Sequence, residues 1–172
     1  LFLFTLRGRI PDLISIVAAN LFIIYGFAFI WSGIRRFLHR SIMILPAFLL
    51  PLLMIPFMYW FSAVHPALWV RIIVASLAVI LFSLFSFFEL YRNFNIKENL
   101  AQSFLCVLFF LNAAAFFLRI ILTCVQQVTG SFLMSGQVTI YTFVWTSVFF
   151  VGLTSGMTLI ISERLRDKQR VT

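Results

Sequence analysis

Charge is scarce in this sequence. Of its 172 residues only 13 are basic and 5 acidic, while 63% are hydrophobic. A mean hydropathy of +1.09 excludes a water-soluble globular domain and places one domain in a bilayer. Histidine and cysteine are rarer still, with two of each. Cys106 and Cys124 share one apolar run and, on a helix, stand roughly 27 Å apart, too far to pair. They read as buried small hydrophobes. His39, in a basic loop, and His65, before Pro66, do not face one another across a bundle as haem ligation requires. Metal-ligand spacing, carboxylate pairs inside the spans, nucleophile–base sets and phosphate-cradling glycine loops are all missing. The expectation is a chain that is no enzyme by itself and holds no cofactor or metal.

The net charge of +8 does not indicate a nucleic-acid partner. Its basic residues fall in short clusters between apolar runs, the pattern of loops in a multi-span protein, with no basic stripe interleaved with aromatics. Five runs reach the length of about 20 apolar residues that a bilayer helix needs. They cover 13–33, 42–61, 68–90, 100–125 and 138–162, joined by short loops suited to antiparallel neighbours. The fold class is therefore an all-α polytopic transmembrane helical bundle. Apolar residues run continuously instead of alternating, which argues against a β-barrel. Pro11-Asp12 opens the first span, where a missing N–H costs nothing and an acid meets the helix dipole. Pro46, Pro51 and Pro56 interrupt the second at five-residue steps; a hinge is the functional reading and static curvature the expected one. Residues 1–6 resemble the tail of a further span; with no Met and no basic n-region they do not form a signal peptide. The expectation is a segment of a longer chain.

Orientation follows from the basic residues. Alternating spans place nine on one side (Arg35, Arg36, Arg40, Arg92, Lys97, Arg164, Arg166, Lys168, Arg170) and three on the other (Arg7, Arg9, Arg71). The positive-inside rule then makes the first side, and the C-terminus, cytoplasmic.

Three features invite function. The fourth span carries Asn112, Arg119, Thr123 and Gln126 in one narrow sector, with Arg119 one to two turns below the outer surface. An arginine inside a span is costly and is either paired, snorkelling or functional. With Arg71, Arg9 and Asp12 at the same level, it outlines a candidate outer-leaflet site for a small anionic or lipid-like ligand. Against this stands snorkelling combined with a structural Asp12–Arg119 pair. Asn20 and Asn112 are expected to make polar contacts between helices. In the fifth span, Gly152 and Gly156 lie four apart, which permits close helix packing within the chain or across a dimer. The same span continues without a Gly or Pro into residues 163–172, where Glu163, Arg164 and Leu165 begin a charged extension. Such an extension either relays helix movement or anchors to anionic headgroups.

The segment Leu6-Arg7-Gly8-Arg9-Ile10-Pro11-Asp12, with Asn20 and Gly33-Ile34-Arg35-Arg36-Phe37-Leu38, resembles the multi-span sensor region found ahead of GGDEF diguanylate cyclase domains in bacteria. Further points of likeness are His65-Pro66-Ala67-Leu68, Arg71, Arg119, Gly152-Leu153-Thr154 and Glu163-Arg164-Leu165. The resemblance implies about seven helices in the inner membrane, a homodimer, and a last helix leading into a cytoplasmic domain that condenses two GTP into cyclic di-GMP. No Gly-Gly-(Asp/Glu)-Glu-Phe segment lies within these residues, so that activity would belong to the longer protein. Two alternatives stand beside it: a small transporter or channel subunit, which needs ionisable groups along a midplane water path, and the input region of a histidine kinase.

Overall fold

The computed structural model describes residues 12–41, 43–64, 67–92, 100–129 and 132–171. Among them there is no strand. Five α-helices follow in order: α1 (Asp12–Phe37), α2 (Ile44–Tyr59), α3 (Leu68–Arg92), α4 (Leu100–Thr129) and α5 (Phe132–Val171). All five are long and apolar enough to cross a membrane, over Val17–Phe37, Leu45–Ser62 (which takes in the turn after α2), Trp69–Arg92, Ala101–Gln126 and Ile140–Ser162. The chain is an all-α polytopic bundle.

Local chemistry sets the ends of these helices. α1, described from Asp12, carries Arg35 and Arg36 in its last turn, where cations meet the negative pole of the helix. The chain then reverses. Arg40 N–H donates to the Arg35 carbonyl at 2.9 Å and His39 N–H to the Arg36 carbonyl at 3.1 Å. This is the Schellman arrangement, with His39 at the left-handed position (φ 56°) that glycine usually fills. The reversal folds Arg40 back beside Arg35.

In α2, Pro46 lies in the first turn, but Pro51 and Pro56 are interior. Each removes a backbone hydrogen bond. Directly beyond them the helix widens into a π-turn, Trp60–Val64, and the Ala67 N–H donates back to the Phe61 carbonyl. Between the fourth and fifth expected spans, the described residues of the uncharged stretch 126–137 are helical. α4 is described to Thr129 and α5 from Phe132, and α5 takes in Gly136 without a break.

α3 lies between α1 and α4, α2 packs on α1, and α5 packs along α4. The inward face of α1 is Ile24, Phe27, Ala28, Trp31 and Ile34, at helical three- and four-residue steps. Phe27 reaches Phe149 of α5 in a stacked contact at 5.7 Å, so α1 and α5 close the row of helices. Cys106 is buried in this core, but Cys124 is exposed, correcting the expectation that both are buried. The two share a helix face, which neighbouring helices cover only at the level of Cys106.

Candidate functional site

Polar side chains inside the bundle fall at three levels. The first is at the end of the bundle that holds Arg35, here termed the basic end. Glu89 of α3 is buried and accepts from Nη1 of Arg35 through one carboxylate oxygen and from Nη1 of Arg40 through the other, the latter at 2.6 Å. Arg35 also donates from Nε to the Ser41 carbonyl at 3.0 Å, and its guanidinium lies 5.4 Å from the centre of the Trp31 ring. Both guanidinium charges thus converge on one carboxylate, and the loop after α1 is clamped to α3. Sequence reasoning counted Arg35 and Arg40 only as loop charges and passed over Glu89. The available signal was a lone acid near the end of an apolar run, at the level of a basic loop.

The second level is mid-bundle. Asn112 of α4 is fully buried, donates from Nδ2 to Ser83 Oγ of α3 at 2.9 Å, and accepts at Oδ1 from the indole N–H of Trp145 in α5 at 3.1 Å. One side chain therefore ties three helices, as expected for an inter-helix polar residue. Replacing it with alanine is expected to destabilise the bundle by about 1–2 kcal/mol, since it orphans the buried Ser83 hydroxyl and the Trp145 indole. Denaturant unfolding in detergent, followed by Trp fluorescence, measures this; a neutral substitution would mean that the network carries no stability. Asn20, the other expected inter-helix polar residue, is half-buried on α1 and has a partner.

The third level lies toward the far end. Seven residues make nearly two full turns, so residues seven apart occupy one face about 10 Å apart along the axis. On α3, Ser76 lies seven before Ser83; on the antiparallel α4, Arg119 lies seven after Asn112. The Ser83–Asn112 hydrogen bond thus fixes a register in which Ser76 and Arg119 occupy the same seam two turns further out. Gln126 follows after seven more residues. At this level the hydrogen bonding is incomplete. Ser76 Oγ, Arg119 Nε and Gln126 Nε2 are all buried atoms with no hydrogen-bond partner. Thr123, between the last two, donates to the Arg119 carbonyl at 2.8 Å. The Arg119 guanidinium lies 5.8 Å from the Phe116 ring centre.

The expected outer site is therefore only partly assembled. Asn112, Arg119, Thr123 and Gln126 share one sector of α4, and Asn112 in it contacts α3. Arg71, however, is drawn elsewhere, donating from Nη1 to Ser62 Oγ in the π-turn at 3.1 Å. It lies five residues before Ser76 and so points to a different side of α3. Arg9 lies outside the described residues, as do His65 and the side chains of Asp12, Glu163 and Arg164.

The glycine pair faces its own chain. A Cβ on Gly152 would meet the Leu108 methyls at 3.1 and 3.2 Å, and one on Gly156 would lie 3.0 Å from Leu105 Cγ and 3.1 Å from Phe104 Cδ1. The glycines thus seat α5 on α4. Beyond the membrane-length stretch α5 continues unbroken to Val171, with Leu165 exposed.

Among the described residues no group of histidine, cysteine and acidic side chains is arranged to hold a metal. Comparison with known families, curated proteins and solved structures finds no match to the chain.

Proposed function

We propose that this chain is the membrane-embedded input region of a bacterial signalling protein and controls a GGDEF diguanylate cyclase through α5. The observation that carries the proposal is the single helix Phe132–Val171. It packs against α4 within the membrane-length stretch and continues for nine residues beyond Ser162. A rigid helix conveys rotation or axial displacement along its whole length, whereas a loop at the membrane boundary would absorb it. The resemblance of the Arg-Gly-Arg-Ile-Pro-Asp segment and its companions supplies the kind of output domain. The excess of basic residues in one set of loops supports an inner-membrane location with the C-terminus in the cytoplasm.

In this reading a change at the far end of the α3–α4 seam alters how α4 meets α5. The Gly156–Leu105 contact converts that change into a new setting of the exit helix. The stimulus must bind one packing better than the other. A transporter reading is disfavoured by the midplane, where the amide of Asn112 is engaged at both ends by Ser83 and Trp145.

The test is cyclic di-GMP production by membranes containing the whole protein, with and without Arg119→Ala. Output that differs several-fold between the two, at equal membrane insertion, is the expected result. Equal output would remove Arg119 from the input, and no cyclic di-GMP from either would remove the cyclase and leave the histidine kinase as the next output to assay.

A further inference from the structure

We propose that the far half of the α3–α4 seam binds an oxyanion, a phosphate or carboxylate, through the Arg119 guanidinium, with the Gln126 amide and the Ser76 hydroxyl as supporting donors. This deepens the input-region reading and rests on it for its biological meaning, but the binding chemistry stands on the seam alone.

Three observations converge. First, Trp31 Nε1 and Ser86 Oγ are also buried without a partner nearer the basic end, but the three such atoms on the far half of the seam are of one kind. Arg119 Nε and Gln126 Nε2 can only donate, and the Ser76 hydroxyl can donate as well. Three donors on one seam, at heptad spacing along α4 and at the matching level on α3, call for an acceptor rich in oxygen. Second, four of the five acids of this chain are committed elsewhere or fall elsewhere along it, Asp12 being the exception. Glu89 is taken by Arg35 and Arg40, and it sits 13 residues from Ser76, roughly 20 Å along α3. Glu163 and Asp167 belong to the charged extension of α5, and in sequence Glu98 falls between α3 and α4. By chain position only Asp12 belongs to the far end. A guanidinium inside a membrane-length helix is stabilised by a counter-charge. Third, Ser76 is fully buried while Arg119 is only partly covered, so the guanidinium is the member of the set that an anion outside the helix pair would meet first. Phe116 beneath the guanidinium restricts its plane.

Lipid headgroups and soluble anions both present such oxygens. The experiment separates them with the full chain in nanodiscs. One set is made of phosphatidylcholine alone and titrated with inorganic phosphate. A second replaces about one lipid in five with phosphatidylglycerol, whose headgroup carries a net negative charge. Thermal unfolding is the readout, since a ligand that binds only the folded bundle raises the midpoint. The expected result is a higher midpoint for the unaltered chain and for Arg71→Gln with at least one probe, and no rise for Arg119→Gln. A response to phosphate identifies a soluble anion, and a response to phosphatidylglycerol alone identifies a lipid.

Ser76→Ala and Gln126→Leu keep the charge of the bundle and guard against an Arg119 variant that fails to fold. Each is expected to weaken the response on the order of tenfold. The proposal is overturned if neither probe raises the midpoint of the unaltered chain, or if Arg119→Gln, Ser76→Ala and Gln126→Leu all respond as that chain does. A response that appears only in Asp12→Asn also overturns it, because Asp12 would then be the counter-charge. Anion binding without any effect on cyclic di-GMP output would sink the input-region reading alone. Output that depends on Arg119 without anion binding would sink only the oxyanion site.

Discussion

Glu89→Ala is expected to destabilise the bundle by about 3–5 kcal/mol, the largest effect of any single substitution considered. The substitution leaves the buried Arg35 guanidinium facing Arg40 with no intervening carboxylate. Two like charges then share a poorly solvated site, and the loop after α1 loses its attachment to α3. Arg35 cannot easily escape to water, because its Nε is held by the Ser41 carbonyl and its guanidinium lies against Trp31. Arg40, with about a third of its side chain exposed, can turn outward. Arg40→Ala is therefore expected to cost less than Arg35→Ala. Denaturant unfolding in detergent micelles measures all three. A loss below about 1 kcal/mol for Glu89→Ala would place the cluster with weak surface ion pairs and refute the clamp.

The second large effect is at the α4–α5 contact. Gly156→Ala puts a methyl group 3.0 Å from Leu105 Cγ, a branch point close to the α4 backbone on a fully buried side chain. Leu105 has nowhere to move, so α5 must shift away from α4. An overpacked core costs about 1–3 kcal/mol. Gly152→Ala meets only the methyl tips of Leu108, which can rotate aside, and is expected to cost less. Unfolding of the two variants side by side tests the order. An equal or reversed ranking would mean that Gly156 does not set the helix separation. In the whole protein the same shift alters the setting of the exit helix, so Gly156→Ala is also expected to change output more than Gly152→Ala.

The number of spans and the type of fold were legible from the sequence because long continuous apolar runs have few other uses. Helix ends were less legible. The stretch 126–137 has no charge and several polar residues, which reads as a loop, yet residues 126–129 extend α4 and residues 132–137, Gly136 included, belong to α5. Arg119 announced itself as a charge inside a span, and its sector with Asn112 and Gln126 followed from helical spacing. The partners did not. Ser76 and Ser83 are unremarkable in an apolar helix until their seven-residue interval is set against the same interval between Asn112 and Arg119. Arg71 was grouped with Arg119 by depth alone, and depth says nothing about side; its position five residues before Ser76 turns it toward Ser62. Glu89 was hidden for a different reason. Its second partner, Arg40, is brought beside Arg35 by a chain reversal at His39, a left-handed residue that no turn signature marks.

The central claim, that α5 carries a packing change out of the bundle, is tested most directly by changing the phase of its extension. Inserting one, two, three or four alanines between Leu165 and Arg166 rotates everything beyond by about 100° per residue while keeping the helix continuous. Cyclic di-GMP output of the whole protein in membranes is the readout. A relay predicts output that changes sharply with one or two residues and returns toward the starting level near four. Output indifferent to the insertions would contradict a helical relay and reduce the extension to a membrane-surface anchor.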